Sequence, residues 1–322
     1  MKKYFTKKSF KNGFTILKNA GAGFMEDKGL KLSASLSYYT IFSMAPMLLL
    51  IISLAGAFFG TDAIEGRVFS EINGLIGDRA AAQVQEIISN LRLSGKTTIS
   101  LIIGAVTLII TATTVFSEIQ DSINIIWKLK AKPKKGWLKL LKDRLRSGSV
   151  IIGLGFLLIV TLIVNGVLLA LGDTLRDYFP DVTFVLIRVI DIGLTFLVIS
   201  VLFGTIFKVL PDAKIPWKDV RAGAFFTALL FMLGRYLIGI YIETTATNSP
   251  YGAAGSIIVI LLWVNYTAAI MYFGAEYTRA YANFKGLKIM PAEYAVFVEQ
   301  REISKHEVVT DKQTDKSEEN PT

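Results

Sequence analysis

The chain has 322 residues, 52% of them hydrophobic, with a mean hydropathy of +0.49 and a formal net charge of +9. So apolar a composition excludes an ordinary soluble domain. With no cysteine, disulfides and thiolate or iron–sulfur chemistry are excluded as well.

Residues 1–32 form a basic arm carrying Lys2, Lys3, Lys7, Lys8, Lys11, Lys18, Lys28 and Lys31. Within it Phe10, Phe14 and Leu17 recur at helical spacing. Two readings fit: a short helix in the headgroup region with its lysines toward anionic lipid, or a loosely ordered arm. The first apolar run starts too late and runs too long for a signal peptide, so no processing is expected.

Six long apolar stretches follow, at 33–60, 98–118, 149–171, 183–210, 220–242 and 253–275. Each approaches the ~20 residues a helix needs to cross ~30 Å of hydrocarbon. Lipid offers no hydrogen-bond partners to a backbone, so spanning segments are helices or closed barrels. The stretches lack the period-two alternation of barrel strands. The predicted fold is therefore all-α: a polytopic membrane protein whose six transmembrane helices occupy a domain at 33–284.

The loops predict its orientation. The 61–97 loop holds four basic residues and two amphipathic patterns, Ile72, Leu75, Ile76 and then Val84, Ile87, Ile88, Leu91, broken near Gly77. The 119–147 loop is densely basic, from Lys128 to Arg146. The next loop offers only Arg176 among Asp173, Asp177 and Asp181. Lys214 and Lys218 lie in the fourth loop, whereas the fifth, around 243–252, has no basic residue. Arg279, Lys285 and Lys288 follow the last span. Basic residues flanking spans stay in the cytoplasm, so both termini are predicted there, in a bacterial inner (plasma) membrane. Residues 285–322 read as a cytoplasmic, largely disordered tail that loses its apolar residues after about Gln300 and ends in KQTDKSEENPT. The excess positive charge is assigned to membrane lipids, specifically anionic lipid at the cytoplasmic face, rather than to nucleic acid.

Little in the chain suggests catalysis. The one histidine, His306, sits in the tail, and no hydrolase or nucleotide-binding motif is present. Glu118 and Asp121, three residues apart, read as a solvated helix end. No enzyme activity, metal or cofactor is expected. The intramembrane polar residues are more informative, because each costs free energy unless paired or wetted. At ~1.5 Å per residue, Asp191 lies about 12 Å, Arg188 about 8 Å, Arg235 about 10 Å and Asn165 about 9 Å below the outer ends of their spans. They outline an outward-opening polar cavity or, alternatively, an ion-paired staple between spans four and five. Pro46 kinks span one near mid-membrane, where such breaks border cavities.

Four stretches then resemble the YihY/BrkB family of bacterial inner-membrane proteins, once labelled ribonuclease BN. They are LSYYTIFSMAPMLLL (36–50), IQDSINIIWKLK (119–130), KVLPDAKIPWKDVRAGA (208–224) and YGAAGSIIVILLWVNYTAAIMYFGAEYTRAY (251–281). The resemblance implies six helices with cytoplasmic termini. It marks Tyr38, Tyr39, Pro46, Asn124, Trp127, Pro211, Trp217, Tyr251, Gly252, Trp263, Tyr266, Gly274 and Glu276 as candidate motif residues. Trp127 and Trp217 also suit interfacial anchors, and Gly274 suits helix packing. The ribonuclease label finds no support in these residues. The expected function is transport, or translocation of a lipid, small molecule or envelope component. The alternative is a non-transporting scaffold for cell-envelope assembly.

Overall fold

The computed structural model describes residues 7–43, 113–132, 180–245 and 253–299. In chain order these form α1 (Lys7–Glu26), α2 (29–43), α3 (113–126), β1 (Leu129–Ala131), α4 (Pro180–Val209), β2 (Ala213–Lys214), α5 (Trp217–Thr245), α6 (Ala253–Phe284), β3 (Met290–Pro291) and β4 (Ala295–Phe297). Helices dominate, as the hydropathy predicts, and α4 and α5 lie within three residues of the predicted spans at either end. Among the described residues, 192–209 and 217–238 are helical stretches long and apolar enough to cross a membrane. Val189, Ile190, Ile192, Leu197 and Val201 on α4 point outward, as do Phe225, Leu229, Leu233, Tyr236 and Leu237 on α5. Such apolar outer faces suit lipid as the surrounding solvent. The 149–171 stretch, the 61–97 loop and Pro46 lie outside the described residues.

One expectation needs correction: the fold is not purely helical, because four short strands build two antiparallel pairs. Leu129 of β1 faces Phe297 of β4, and Ala213 of β2 faces Pro291 of β3. Residues 285–299 fold back onto the helices, ahead of the point near Gln300 where the sequence loses its apolar residues. The reversal begins where Gly286 takes φ +73° and Leu287 N–H donates to the Ala282 carbonyl at 2.9 Å. This is a glycine C-cap with a 6→1 bond. It returns Ile289, Ala292 and Ala295 to buried positions.

The N-terminal arm is a helix, and it has two apolar faces. Ile16 and Ala20 are buried with Ala280 of α6, flanked by Phe273, Tyr277 and Tyr281. Phe14, Leu17 and Met25 point away and are exposed. The helix thus docks on α6 through small residues, a contact the headgroup reading does not include. Lys28, at φ +56°, turns the chain from α1 into α2.

The main core gathers where α3, α4, α5 and α6 meet. Ile123, Ile126, Trp127, Phe203, Phe207, Val220, Tyr272 and Ala275 fill it. Helices α5 and α6 approach through a reciprocal clasp with the pattern Gly-x-x-x-Thr on each. Thr227 Oγ1 donates to the Gly223 carbonyl at 2.7 Å, and its side chain packs over Gly274. Thr278 Oγ1 donates to the Gly274 carbonyl at 2.8 Å and packs over Gly223. Each hydroxyl is satisfied within its own helix, so each threonine offers its neighbour a compact, apolar-sided knob. Small residues permit this closeness, and in lipid such close packing is what holds helices together.

Candidate functional site

The strand-bearing end of the helices concentrates the buried polar side chains. One group centres on Asp212, which follows α4 and Pro211 and is fully buried. Its Oδ1 accepts from Gln120 Nε2 at 3.0 Å, and its Oδ2 accepts from Asn124 Nδ2 at 3.0 Å. Gln120 and Asn124 are four residues apart on α3 and so share one face. Asn124 Oδ1 accepts from the Asp212 N–H at 2.9 Å, and the Asp212 carbonyl accepts from Ala292 N–H at 2.9 Å. One residue therefore joins α3, the α4–α5 connection and the C-terminal strands.

Trp127 belongs to this interior and is not an interfacial anchor. Only 2% of it is exposed, and its Nε1 donates to the Ala275 carbonyl at 3.1 Å. The cause is the length of α3, which continues eight residues past the predicted end at 118 and carries the indole into the core.

A second group lies between α1, α3 and α6. Glu276 is 1% exposed, one residue beyond the predicted apolar stretch of α6. Its Oε2 lies 2.9 Å from Arg279 Nη2. Asp27 in turn accepts from Arg279 Nη1 at 3.2 Å and pairs with Lys128 Nζ. Arg279 also donates to the Ile126 carbonyl. Lys128 reaches Asp27 from a left-handed backbone, φ +57°, at the turn that ends α3. Gly23 makes room: a Cβ there would stand 2.7 Å from both Glu276 Oε2 and Arg279 Nη2. Burial pushes the Glu276 carboxyl up to about 8, against the opposing pull of Arg279.

The structure brings together Asn124, Trp127, Pro211, Gly274 and Glu276 from among the candidate motif residues. The others are dispersed. Tyr38 is exposed and meets Tyr39 edge-on at 5.6 Å and Phe42 at 4.8 Å. Trp217 opens α5, is half exposed and lies against Gly204, which suits an anchor. Farther along the same helix pair, Trp263 meets Phe231 edge-on at 6.1 Å, and the Tyr266 hydroxyl covers Gly234. Arg235 is exposed on α5. Pro46, Asn165, Tyr251, Gly252 and the side chains of Arg188 and Asp191 lie outside the described residues. Among the described residues no three His, Cys, Asp or Glu side chains are grouped to hold a metal ion.

Sequence reasoning did not single out Asp27, Gln120, Lys128, Asp212 or Arg279 as a site. Gln120, Lys128, Asp212 and Arg279 do lie within the stretches that carried the resemblance. Polar residues in loops read as solvated, and nothing in the sequence marks these as buried.

Residues 20–293 match the family described as Virulence factor BrkB. Similar curated proteins include a UPF0761 membrane protein of Pseudomonas paraeruginosa, 27% identical over 83% of this chain and 62% of its own length. One from Rhodospirillum centenum is 25% identical, over 85% of this chain and 59% of the relative. Another, from Cronobacter sakazakii, is 26% identical over 84% and 89% respectively. The chain spans about three-fifths of the length of the first two. No solved structure matches.

Proposed function

We propose, because this chain belongs to the virulence factor BrkB family of membrane proteins, that it is a six-span inner-membrane protein with both ends in the cytoplasm. In this reading it moves a lipid or another envelope component across the bilayer and catalyses no reaction. Anionic lipid is the proposed partner of its basic face.

Parity supports the six spans. Helix α1 and the segments 127–132, 210–216 and 285–299 are joined by hydrogen bonds and ion pairs, so they share one side of any membrane. Consecutive members must then be separated by an even number of crossings. Helices α5 and α6 supply two between β2 and β3. Helix α4 supplies one between β1 and β2, and its companion falls naturally on the 149–171 stretch. Helices α2 and α3 belong to the remaining pair. Lys128, Lys130, Lys132, Lys208, Lys214 and Lys218 all flank this layer, which favours the cytoplasm for it.

One contrast carries the translocation reading. The layer end is closed by Trp127, Phe203, Phe207 and Tyr272, all buried. By sequence position, the outer halves of the predicted spans carry Asn165, Arg188, Asp191 and Arg235, expensive residues in hydrocarbon that mark pathways in membrane proteins. Together they suit a bundle shut toward the cytoplasm and open outward. The same filled core also favours the scaffold alternative. Native mass spectrometry of the purified protein separates the two. Translocation predicts a lipid or small molecule that survives detergent exchange and is lost in Arg235→Gln without loss of thermal stability. A bare protein, or a retained lipid indifferent to that substitution, favours the scaffold.

A further inference from the structure

We propose that Asp27 and Glu276 form a proton-binding carboxyl pair, and that the bound proton latches α1 onto α6. The latch stands whether or not the protein moves a substrate.

Geometry carries the inference. Two carboxyl groups in contact repel when both are ionised and bind when one proton lies between them. Glu276 is almost wholly buried, and one guanidinium holds both carboxyl groups, with Arg279 Nη2 2.9 Å from Glu276 Oε2 and Nη1 3.2 Å from Asp27 Oδ2. The pair also sits at a mechanical junction, because Asp27 ends α1 whereas Glu276 belongs to α6. Among the described residues, these charges face it. Glu26 on α1 is exposed and 3.6 Å from Lys128; Lys128 follows α3 and binds Asp27; Arg279 on α6 reaches both carboxyl groups. Glu276 is the more deeply buried of the two and burial pushes its carboxyl up, so Glu276 is the group that carries the proton. Gly23 brings the α1 backbone against this pair, so the helix cannot stay docked if the carboxylates part.

The sign follows from linkage. The docked state holds the proton up to about pH 8, whereas an undocked Glu276 releases it near its ordinary value of about 4.3. Docking is strongest in acid and weakens as pH rises between those values.

The test uses the full-length chain in lipid nanodiscs, where introduced cysteines are unique. Ala20→Cys lies inside the α1–α6 contact, and Phe14→Cys on the exposed face normalises for thiol ionisation. Relative maleimide labelling at position 20 should rise by up to roughly tenfold per pH unit from pH 5.5 and level off above about 8. Glu276→Gln keeps the shape and supplies a permanent donor, so its labelling should stay low and flat. Asp27→Asn should also flatten the curve, because its amide can donate to Glu276 without a proton. A flat curve in the parent, or an unchanged rise in both variants, would overturn the latch.

Discussion

Gly274→Ala should destabilise the protein, because the added methyl has no room between α5 and α6. The new Cβ would stand 2.9 Å from Thr227 Cβ and 3.0 Å from Thr227 Cγ2, with the hydroxyl closer still. Thr227 cannot swing aside cheaply, because its hydroxyl is bonded to the Gly223 carbonyl. Rotation would release that bond and drive the methyl into the facing helix. The expected loss is about 2 kcal/mol, the scale of overpacking a tight core. Thr227→Ala removes the hydroxyl and methyl and should partly rescue it. The Cβ–Cβ approach of 2.9 Å remains, so recovery stays incomplete. Thermal unfolding in detergent of both single variants and the double variant reads this directly. Simple summing of the two losses would mean the clasp is not a contact under load.

Asp212→Ala should cost still more, because it strands the donors of Gln120 and Asn124 inside the core. An orphaned buried donor costs about 1–3 kcal/mol, so two give roughly 2–6 kcal/mol. Asp212→Asn offers a discriminating control. Its amide oxygen can still accept from one of the two, but its NH2 group faces the other donor. About half the loss is expected. A stability assay ranking the parent above Asn and Asn above Ala supports the knot. Equal stability for all three would mean the carboxyl group does not organise this end of the bundle.

The contrast between what was and was not legible has a physical basis. Helices α4 and α5 were legible because a membrane span demands a long apolar run, which hydropathy reads almost directly. The strand layer was not. Its strands are two or three residues long, too short for alternation, and β1 pairs with a partner 166 residues away. The docking face of α1 was hidden for another reason. Ile16, Ala20 and Gly23 include small residues that add little to a hydrophobic pattern, whereas Phe14 and Leu17 dominate it yet remain exposed. The candidate motif residues included Asn124 and Glu276 but not Asp212 and Asp27, although Asp212 lies inside a matching stretch. Asn124 and Asp212 are 88 residues apart, and Arg279, which holds Glu276, reaches Asp27 across 252. Burial of a polar side chain depends on such distant partners, and no local pattern reports it.

One labelling experiment bears on the central claim, that α1, the basic loop and the C-terminal strands form a single cytoplasmic layer. Single cysteines at Met25, Lys134 and Glu293 sample three parts of that layer, and one at Ala82 samples the long loop between the first two spans. With an impermeant maleimide in intact spheroplasts, the protein should label at Ala82 alone, and the other three should label only after permeabilisation. Labelling of Met25 or Glu293 from outside while Lys134 stays protected would divide the layer between two sides of the membrane and contradict the account.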